Sequence, residues 1–334
     1  MKKTLIAAAV AAAVAAPAAN AGVVLYGKIH VSIDYLDAQT SARCSGNGTT
    51  PGGGFNVCDR TSRIGFKGSE DLGNGMKAIW KMESAVNIAD GGSAGGSWGS
   101  ARNSYIGLAG DWGTFLYGRH DTPYKMAYYA SGIDMLGDSF MDTNALYGHQ
   151  EWRRDNAIAY VSPNWNGLTL AAAVIPAEGS PNPQDDSFAD SYSIGLMYSY
   201  NGMKLSAGYE DTEGELGRES QNWMLGAGYS MNAFDISAVY VDQEGGTAID
   251  SELDGYAVSM AYTWGNNKFI GTVGQSDWGD DDGLGYGVAV QHMFSKRTSA
   301  YLGYSSTEML NAHRTDKYLG EDSEAVSFGM IHKF

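Results

Sequence analysis

The sequence predicts an all-β fold, a transmembrane antiparallel barrel of sixteen strands closed on itself. Three observations carry that prediction. Segments of about ten residues alternate apolar and polar side chains, the period of a strand with one greasy and one wet face. The connections between them alternate in length, short then long, along the whole chain. The chain ends on AVSFGMIHKF, Ala325–Phe334, in which Val326, Phe328, Met330, His332 and Phe334 share one face of an extended strand.

At the other end, MKKTLIAAAVAAAVAAPAANA opens with Lys2 and Lys3, continues through an Ala/Val-rich run interrupted by Pro17, and closes on the A-x-A pattern of Ala19, Asn20 and Ala21. This is the pattern of a cleaved secretory leader, residues 1–21, followed by a barrel domain over residues 22–334. As an anchoring helix the run is short and Ala-rich, and no stop-transfer segment follows it. Nothing after Gly22 is apolar for long enough to cross a bilayer as a helix, and the mean hydropathy is negative. A barrel escapes that test, because half of each strand faces a polar interior. The net charge is −16, or −18 without the leader's two lysines, so the basic footprint that nucleic acid requires is missing.

The first strand, Val23 to Asp37, sets the pattern. Val23, Leu25, Ile29, Val31, Ile33 and Tyr35 lie on or near a face suited to lipid; Val24, Tyr26, Lys28, His30, Ser32 and Asp34 form the other, suited to water. Short turns then occur at GSEDLGNG (Gly68–Gly75), GDWG (Gly110–Gly113), SPNWNG (Ser162–Gly167), YNGM (Tyr200–Met203), SMNA (Ser230–Ala233), WGNNK (Trp264–Lys268) and FSKRT (Phe294–Thr298). Most carry the Gly or Asn that tight hairpins need for positive φ. Between them lie eight long polar connections: the cysteine loop, NIADGGSAGGSWGS, Asp121 to Asp155, IPAEGSPNPQDDSFAD, EDTEGELGRES, DQEGGTAIDSEL, SDWGDDDG and SSTEMLNAHRTDKYLGEDSE. Fifteen connections join sixteen strands. Short turns at one rim and long loops at the other describe an outer-membrane barrel, with periplasmic turns, extracellular loops and Tyr/Trp girdles at the interfaces. A soluble sandwich need not segregate its loops by length, and it would bury the face that here carries lysines and arginines. Closure requires the last strand to pair with the first, which explains an apolar stripe running to the terminal Phe334.

The two cysteines, Cys44 and Cys58, enclose the glycine-rich SGNGTTPGGGFNV. In an exported chain they read as a disulfide that staples the loop, worth about 3 kcal/mol in the chain-entropy model. Two free thiols or a metal site are the alternatives, and no histidine or third cysteine lies near to support a metal.

LYGK (Leu25–Lys28), SRIGFKGSEDLGNGMKAIW (Ser62–Trp80), IGLAGDWGTFLYGRH (Ile106–His120), NAIAYVSPNWNGL (Asn156–Leu168) and the closing GMIHKF resemble the sixteen-stranded general diffusion porins of Gram-negative outer membranes. The resemblance covers essentially the whole mature chain in order. It implies a homotrimer in which each barrel holds a water-filled channel for small hydrophilic solutes and ions. It implies outer-membrane lipid and lipopolysaccharide as surroundings, no cofactor, and a terminal Phe334 read by the barrel-assembly machinery. It also implies that the third long loop folds into the lumen and sets acids opposite basic wall residues.

That loop holds Asp121, Asp134, Asp138, Asp142, Glu151 and Asp155 against Lys125, Arg153 and Arg154. By motif, Lys28, Arg63 and Arg102 stand where the family places wall bases, with Arg119 and Arg154 at strand ends as further members. Asp134, Asp138 and Asp142 are the facing acids. GDSF (Gly137–Phe140) replaces the acidic Pro-Glu-Phe-Gly-like tip of some relatives. Facing charges orient a passing polar solute, and no bond chemistry is involved.

Other functions are set against this one. A substrate-specific channel would use an aromatic slide, for which Tyr124, Tyr128 and Tyr129 are candidates; an adhesin or enzyme would use surface loops on a plugged barrel. Catalysis has little support: GDS at Gly137–Ser139 is a three-residue match, and the six histidines lack metal-ligand spacing. Asp280, Asp281 and Asp282 resemble a calcium loop, but Trp278 stands where the first ligand belongs, so they read as solvated external loop. Wall bases favour anions, whereas the third loop's six acids against three bases tip the expectation to weak cation preference.

Overall fold

The computed structural model describes residues 22–38, 42–43, 49–50, 54–89, 98–143, 146, 151–177, 187–213, 219–245, 252–277, 282–309 and 323–334. Residues 1–21, expected to be a leader, Cys44, and Asp280 and Asp281 of the acidic run lie outside the described residues. Sixteen barrel strands run through the described part: β1 (Val24–Ala38), β2 in two segments (Gly54–Asp59 and Arg63–Gly73), β3 (Met76–Val86), β4 in two segments (Trp98–Ala101 and Ser104–Gly110), β5 (Gly113–Asp121), β6 (Arg153–Val161), β7 (Leu168–Ile175), β8 (Ser191–Tyr200), β9 (Met203–Glu213), β10 (Glu219–Met231), β11 (Phe234–Gly245), β12 (Glu252–Trp264), β13 (Asn267–Asp277), β14 (Asp282–Met293), β15 (Thr298–Met309) and β16 (Ser323–Lys333). The helix α1 (Pro123–Ala130) lies between β5 and β6.

Each strand pairs antiparallel with its neighbours in sequence. β1 pairs with β2 on one side and β16 on the other, so the sheet closes and leaves no edge. The closing register sets Lys28 opposite Lys333 and Leu36 opposite Ala325. The predicted partnership of the first and last segments is therefore present.

The two faces separate as the alternation requires. Leu25, Ile29 and Ile33 on β1, with Phe328 and Met330 on β16, are exposed on the outer wall. Lys28, His30, Ser32 and Asp34 are buried on the inner face, where Arg60 and the Ser327 hydroxyl both bond the Asp34 carboxylate. Near the short-turn rim, Trp165, Tyr200, Tyr229 and Trp264 are exposed outward as girdle residues.

All seven predicted short turns join strands. At Asn74–Gly75 and Asn201–Gly202 both residues take positive φ, 51° and 77° in the first and 48° and 81° in the second. This is the hairpin geometry that an Asn-Gly pair supplies at least strain. The long loops are shorter than the sequence suggests. Gly54–Asp59 and Trp98–Ala101 pair as strands, and β9 and β10 extend to within a few residues of each other. Backbone pairing continues beyond the bilayer because, with water on both faces, no hydrophobic pattern is needed to sustain it.

Candidate pore constriction

The third long loop lies inside the barrel, and its path follows from what it can bury. Thr122 caps α1, accepting the Lys125 N–H at 3.3 Å, and Pro123 occupies the first turn, where a missing N–H costs nothing. Tyr124, Ala127 and Tyr128 are completely buried against Met224, Val239, Val241 and Leu253 on the inner face of β10–β12. The Tyr124 N–H donates to Ser193 Oγ at 2.9 Å, and the Ser237 hydroxyl donates to the Ser131 carbonyl at 2.8 Å. The chain then continues along the neighbouring strands β12–β15. Leu136, Phe140 and Met141 pack on Ala261, Ile270, Ala289 and Tyr301, with the Phe140 ring stacked 5.8 Å from that of Tyr301. A strip of lumen-facing apolar and small residues thus draws the loop down onto one side of the barrel and leaves the other side lined by charge.

On the charged side three ion clusters follow one another. Lys28, only 7% exposed, donates from Nζ to Asp138 Oδ2 at 2.6 Å and to Thr61 Oγ1 at 3.3 Å, while Arg63 Nη1 stands 3.5 Å from the same Asp138 oxygen. Thr61 takes φ 56° in the break between the two segments of β2, an uncommon conformation for a β-branched residue, which offers its hydroxyl to Lys28. Second, Glu83 on β3 accepts from Arg102 Nε at 2.9 Å and from the Tyr26 hydroxyl at 2.8 Å, with Lys81 Nζ at 3.3 Å. Third, at the neck of the loop, Asp121 lies 2.7 Å from Arg153 and 3.4 Å from Lys125, and Lys125 reaches Glu151 at 2.7 Å. The Tyr129 hydroxyl donates to Glu151 at 2.8 Å.

The predicted site residues divide accordingly. Lys28, Arg63 and Asp138 meet directly, and Arg102 joins the next cluster through Glu83. Asp134 lies one turn from Asp138, its Oδ1 accepting the Gly137 N–H at 2.9 Å. Asp142 opens the following turn, with its carbonyl bonded by the Leu146 N–H at 3.0 Å. Arg119 takes no part in the Asp138 cluster; its Nε donates to the Ala101 carbonyl at 2.8 Å and its Nη1 pairs with the exposed Asp155 at 2.7 Å. Arg154 lies over the Trp152 ring at 4.9 Å. Cys58 is buried at the end of the first β2 segment, and Cys44, its expected partner, lies outside the described residues.

Glu83, Tyr26, Thr61 and Lys81 were not anticipated in these clusters, nor was Arg60 beside Asp34. Glu83 and Lys81 are two residues apart in a strand and therefore share a face, a signal that parity alone supplies.

The loop carboxyls differ in character. Burial works to raise Asp138, but the Lys28 charge and hydrogen bond, with Arg63, hold it well below the usual carboxylate range. Burial, and then the neighbouring Asp138 charge, push Asp134 up to about 7. Glu151 is also raised, by burial that Lys125 and Tyr129 only partly offset.

Comparison with known proteins agrees with this architecture. A family model described as Gram-negative porin matches residues 7–311. The major outer membrane protein P.IB of Neisseria lactamica is 30% identical over 361 aligned positions, covering 100% of both chains. Another match reaches only part of its relative, about half the length (55%) of a P.IB protein of Neisseria gonorrhoeae. Among solved structures, an anion-selective porin from Comamonas acidovorans superposes with a TM-score of 0.76 at 21% identity, covering 94% of this chain and 100% of that one. The trimer form of OmpT from Vibrio cholerae gives 0.66 at 14% identity, covering 94% of this chain and 99% of that one. With a closed barrel, a lipid-suited outer wall and a loop folded into a charged lumen, this chain belongs to the family of Gram-negative porins and sits in the outer membrane.

Proposed function

We propose that the barrel is a passive channel for small hydrophilic solutes and ions, narrowed where the third loop meets β1–β6, and that it works as a homotrimer. The observation that carries this reading is the segregation of the lumen. The loop packs on β8–β15 through apolar contacts, while Lys28, Arg63, Lys81, Glu83, Arg102 and Asp138 gather on the other side. A charged wall facing a fixed loop sorts solutes by width and field, and the proposed activity makes and breaks no covalent bonds.

Anions are the favoured ions, the reverse of the sequence expectation. The six-against-three count treats the loop acids as free. Yet Asp138 is held by two bases and Glu83 by two more, so each of these carboxylates leaves a surplus of one positive charge. Bases in excess at the narrow zone raise the local concentration of anions. The Comamonas protein, whose fold this chain shares, is an anion-selective porin, which supports this reading.

A substrate-specific slide is disfavoured by the aromatic residues themselves. Tyr124 and Tyr128 are 0% exposed, pressed between loop and wall. Binding to the assembly machinery through Phe334, contact with lipopolysaccharide, the Cys44–Cys58 disulfide and removal of residues 1–21 complete the proposal. Swelling of liposomes that contain the protein tests it. Uncharged sugars should enter at rates falling smoothly with size; absence of swelling would indicate a plugged barrel, and saturation by one sugar a specific channel.

A further inference from the structure

The outer wall carries a groove that conduction does not use. It runs across β11–β16, has a volume of about 670 Å³, and is lined by Phe234, Met260, Tyr262, Phe269, Val288 and Leu302 among others. That volume lies within the roughly 300–1,000 Å³ of ligand-sized clefts. Its floor is Gly271, whose cross-strand neighbours are the exposed Met260 and Val288. A Cβ at Gly271 would meet nothing within 4 Å, so the recess is open space in a wall otherwise covered by side chains. Phe234 and Tyr262, in register with ring centroids 4.7 Å apart, close it toward the short-turn rim.

At that rim the turn between β14 and β15 presents Lys296 and Arg297, both exposed, on a segment FSKRT that contains no acid. The turn is fixed in place, because the Lys333 N–H donates to the Arg297 carbonyl at 2.8 Å and the Phe294 N–H donates to the Thr298 carbonyl at 3.0 Å. Val290 and Leu302, in register on the two strands that the turn joins, belong to the groove. Two exposed bases therefore stand on the turn that joins two of the strands lining an apolar recess in a membrane-facing wall.

We infer that the groove and the turn form a binding site for one anionic glycerophospholipid. An acyl chain lies over Gly271 between Val288 and Met260, and the phosphate meets Lys296 and Arg297. The short-turn rim faces the periplasm, so the lipid comes from the periplasmic leaflet. Bilayer chains cover the whole outer wall; ordering one lipid requires both a recess and a headgroup partner, and this is where the two coincide. Long basic side chains reach from the wall to the headgroup level.

Native mass spectrometry of the detergent-solubilised protein tests the site, with phosphatidylglycerol and phosphatidylcholine of equal chain length as probes. Phosphatidylglycerol should be retained about twenty-five-fold better, since each base near an anionic headgroup contributes about fivefold. Replacing both bases, Lys296→Ser with Arg297→Ser, should abolish that preference, and Gly271→Leu should lower retention of both lipids by filling the recess. Single-channel conductance, which is set inside the barrel, should remain at the parent value in every variant, showing that each is folded. Equal retention of the two lipids by the parent protein, or undiminished retention by Gly271→Leu, would overturn the proposal. So would loss of subunit association in Gly271→Leu, which would assign the groove to a neighbouring copy.

Discussion

Gly27 and Phe334 exchange a reciprocal pair of backbone hydrogen bonds, each 3.1 Å long, at the seam where the barrel closes. The Phe334 ring lies across the space that a Cβ on Gly27 would occupy, and such a Cβ would also approach the Arg63 carbonyl to 2.7 Å. The last residue of the chain is thus a wall element whose ring needs a glycine beneath it. Gly27→Val should cost about 1–3 kcal/mol through overpacking. Deleting Phe334 removes both bonds and the ring. In each variant the temperature at which the folded species disappears from semi-native gels should fall, and an unchanged temperature would show that the seam is held elsewhere.

Lys28 and Asp138 should behave as a coupled pair. Removing Asp138 leaves the nearly buried Lys28 without its counter-ion and removing Lys28 leaves Asp138 with Arg63 alone, whereas removing both leaves neither member of the pair. A cycle of Lys28→Met, Asp138→Leu and the double variant, read by denaturant unfolding, should give a coupling of about 2 kcal/mol. Additive effects would mean that loop and wall are held together by the apolar packing and the Ser193 and Ser237 hydrogen bonds without help from this pair.

Glu83 binds Lys81, Arg102 and Tyr26 at once. Glu83→Gln keeps its size and removes its charge, freeing both bases to act on passing ions. The anion-to-cation permeability ratio should rise by roughly sixfold, because one charge about 8 Å away in a water-like medium shifts anions and cations about 2.4-fold each in opposite directions. No change would place this cluster away from the ion path.

Asp134 titrates where ordinary assays are run. Its carboxyl is pushed up to about 7, so it is charged at pH 8 and neutral at pH 6, whereas Asp138, held low by Lys28 and Arg63, stays ionised across that window. Loss of one negative charge from the lumen as pH falls should raise anion preference through pH 7. Asp134→Asn should show the acid value at both pH values. A parent protein with the same reversal potential at pH 6 and pH 8 would remove Asp134 from the ion path.

These cases also show what a single sequence displays and what it withholds. Strand faces were legible because alternation is local: Lys28 and His30 point one way and Ile29 the other, whatever else the chain does. The Asn-Gly turns at Asn74 and Asn201 were legible because their backbone conformation restricts the residue types. The closing pair was legible from Phe328, Met330 and Phe334, since a final apolar stripe has meaning only in a wall. The choice of Asp138 among three loop acids was not. Asp138 meets Lys28 across 110 positions of sequence, and that meeting depends on where Tyr124, Tyr128 and Phe140 find something to pack on. Loop strands such as Gly54–Asp59 were hidden for a different reason, because pairing above the bilayer leaves no hydrophobic pattern to read.

An open lumen with more bases than acids at its narrowest part is what would make this barrel an anion-preferring channel. Single-channel recording in a planar bilayer under a potassium chloride gradient measures both properties together. Ohmic steps, with a reversal potential whose sign reports faster chloride than potassium, are the predicted result. A reversal potential of the opposite sign would contradict the charge assignment, and the absence of steps from folded protein would contradict the channel itself.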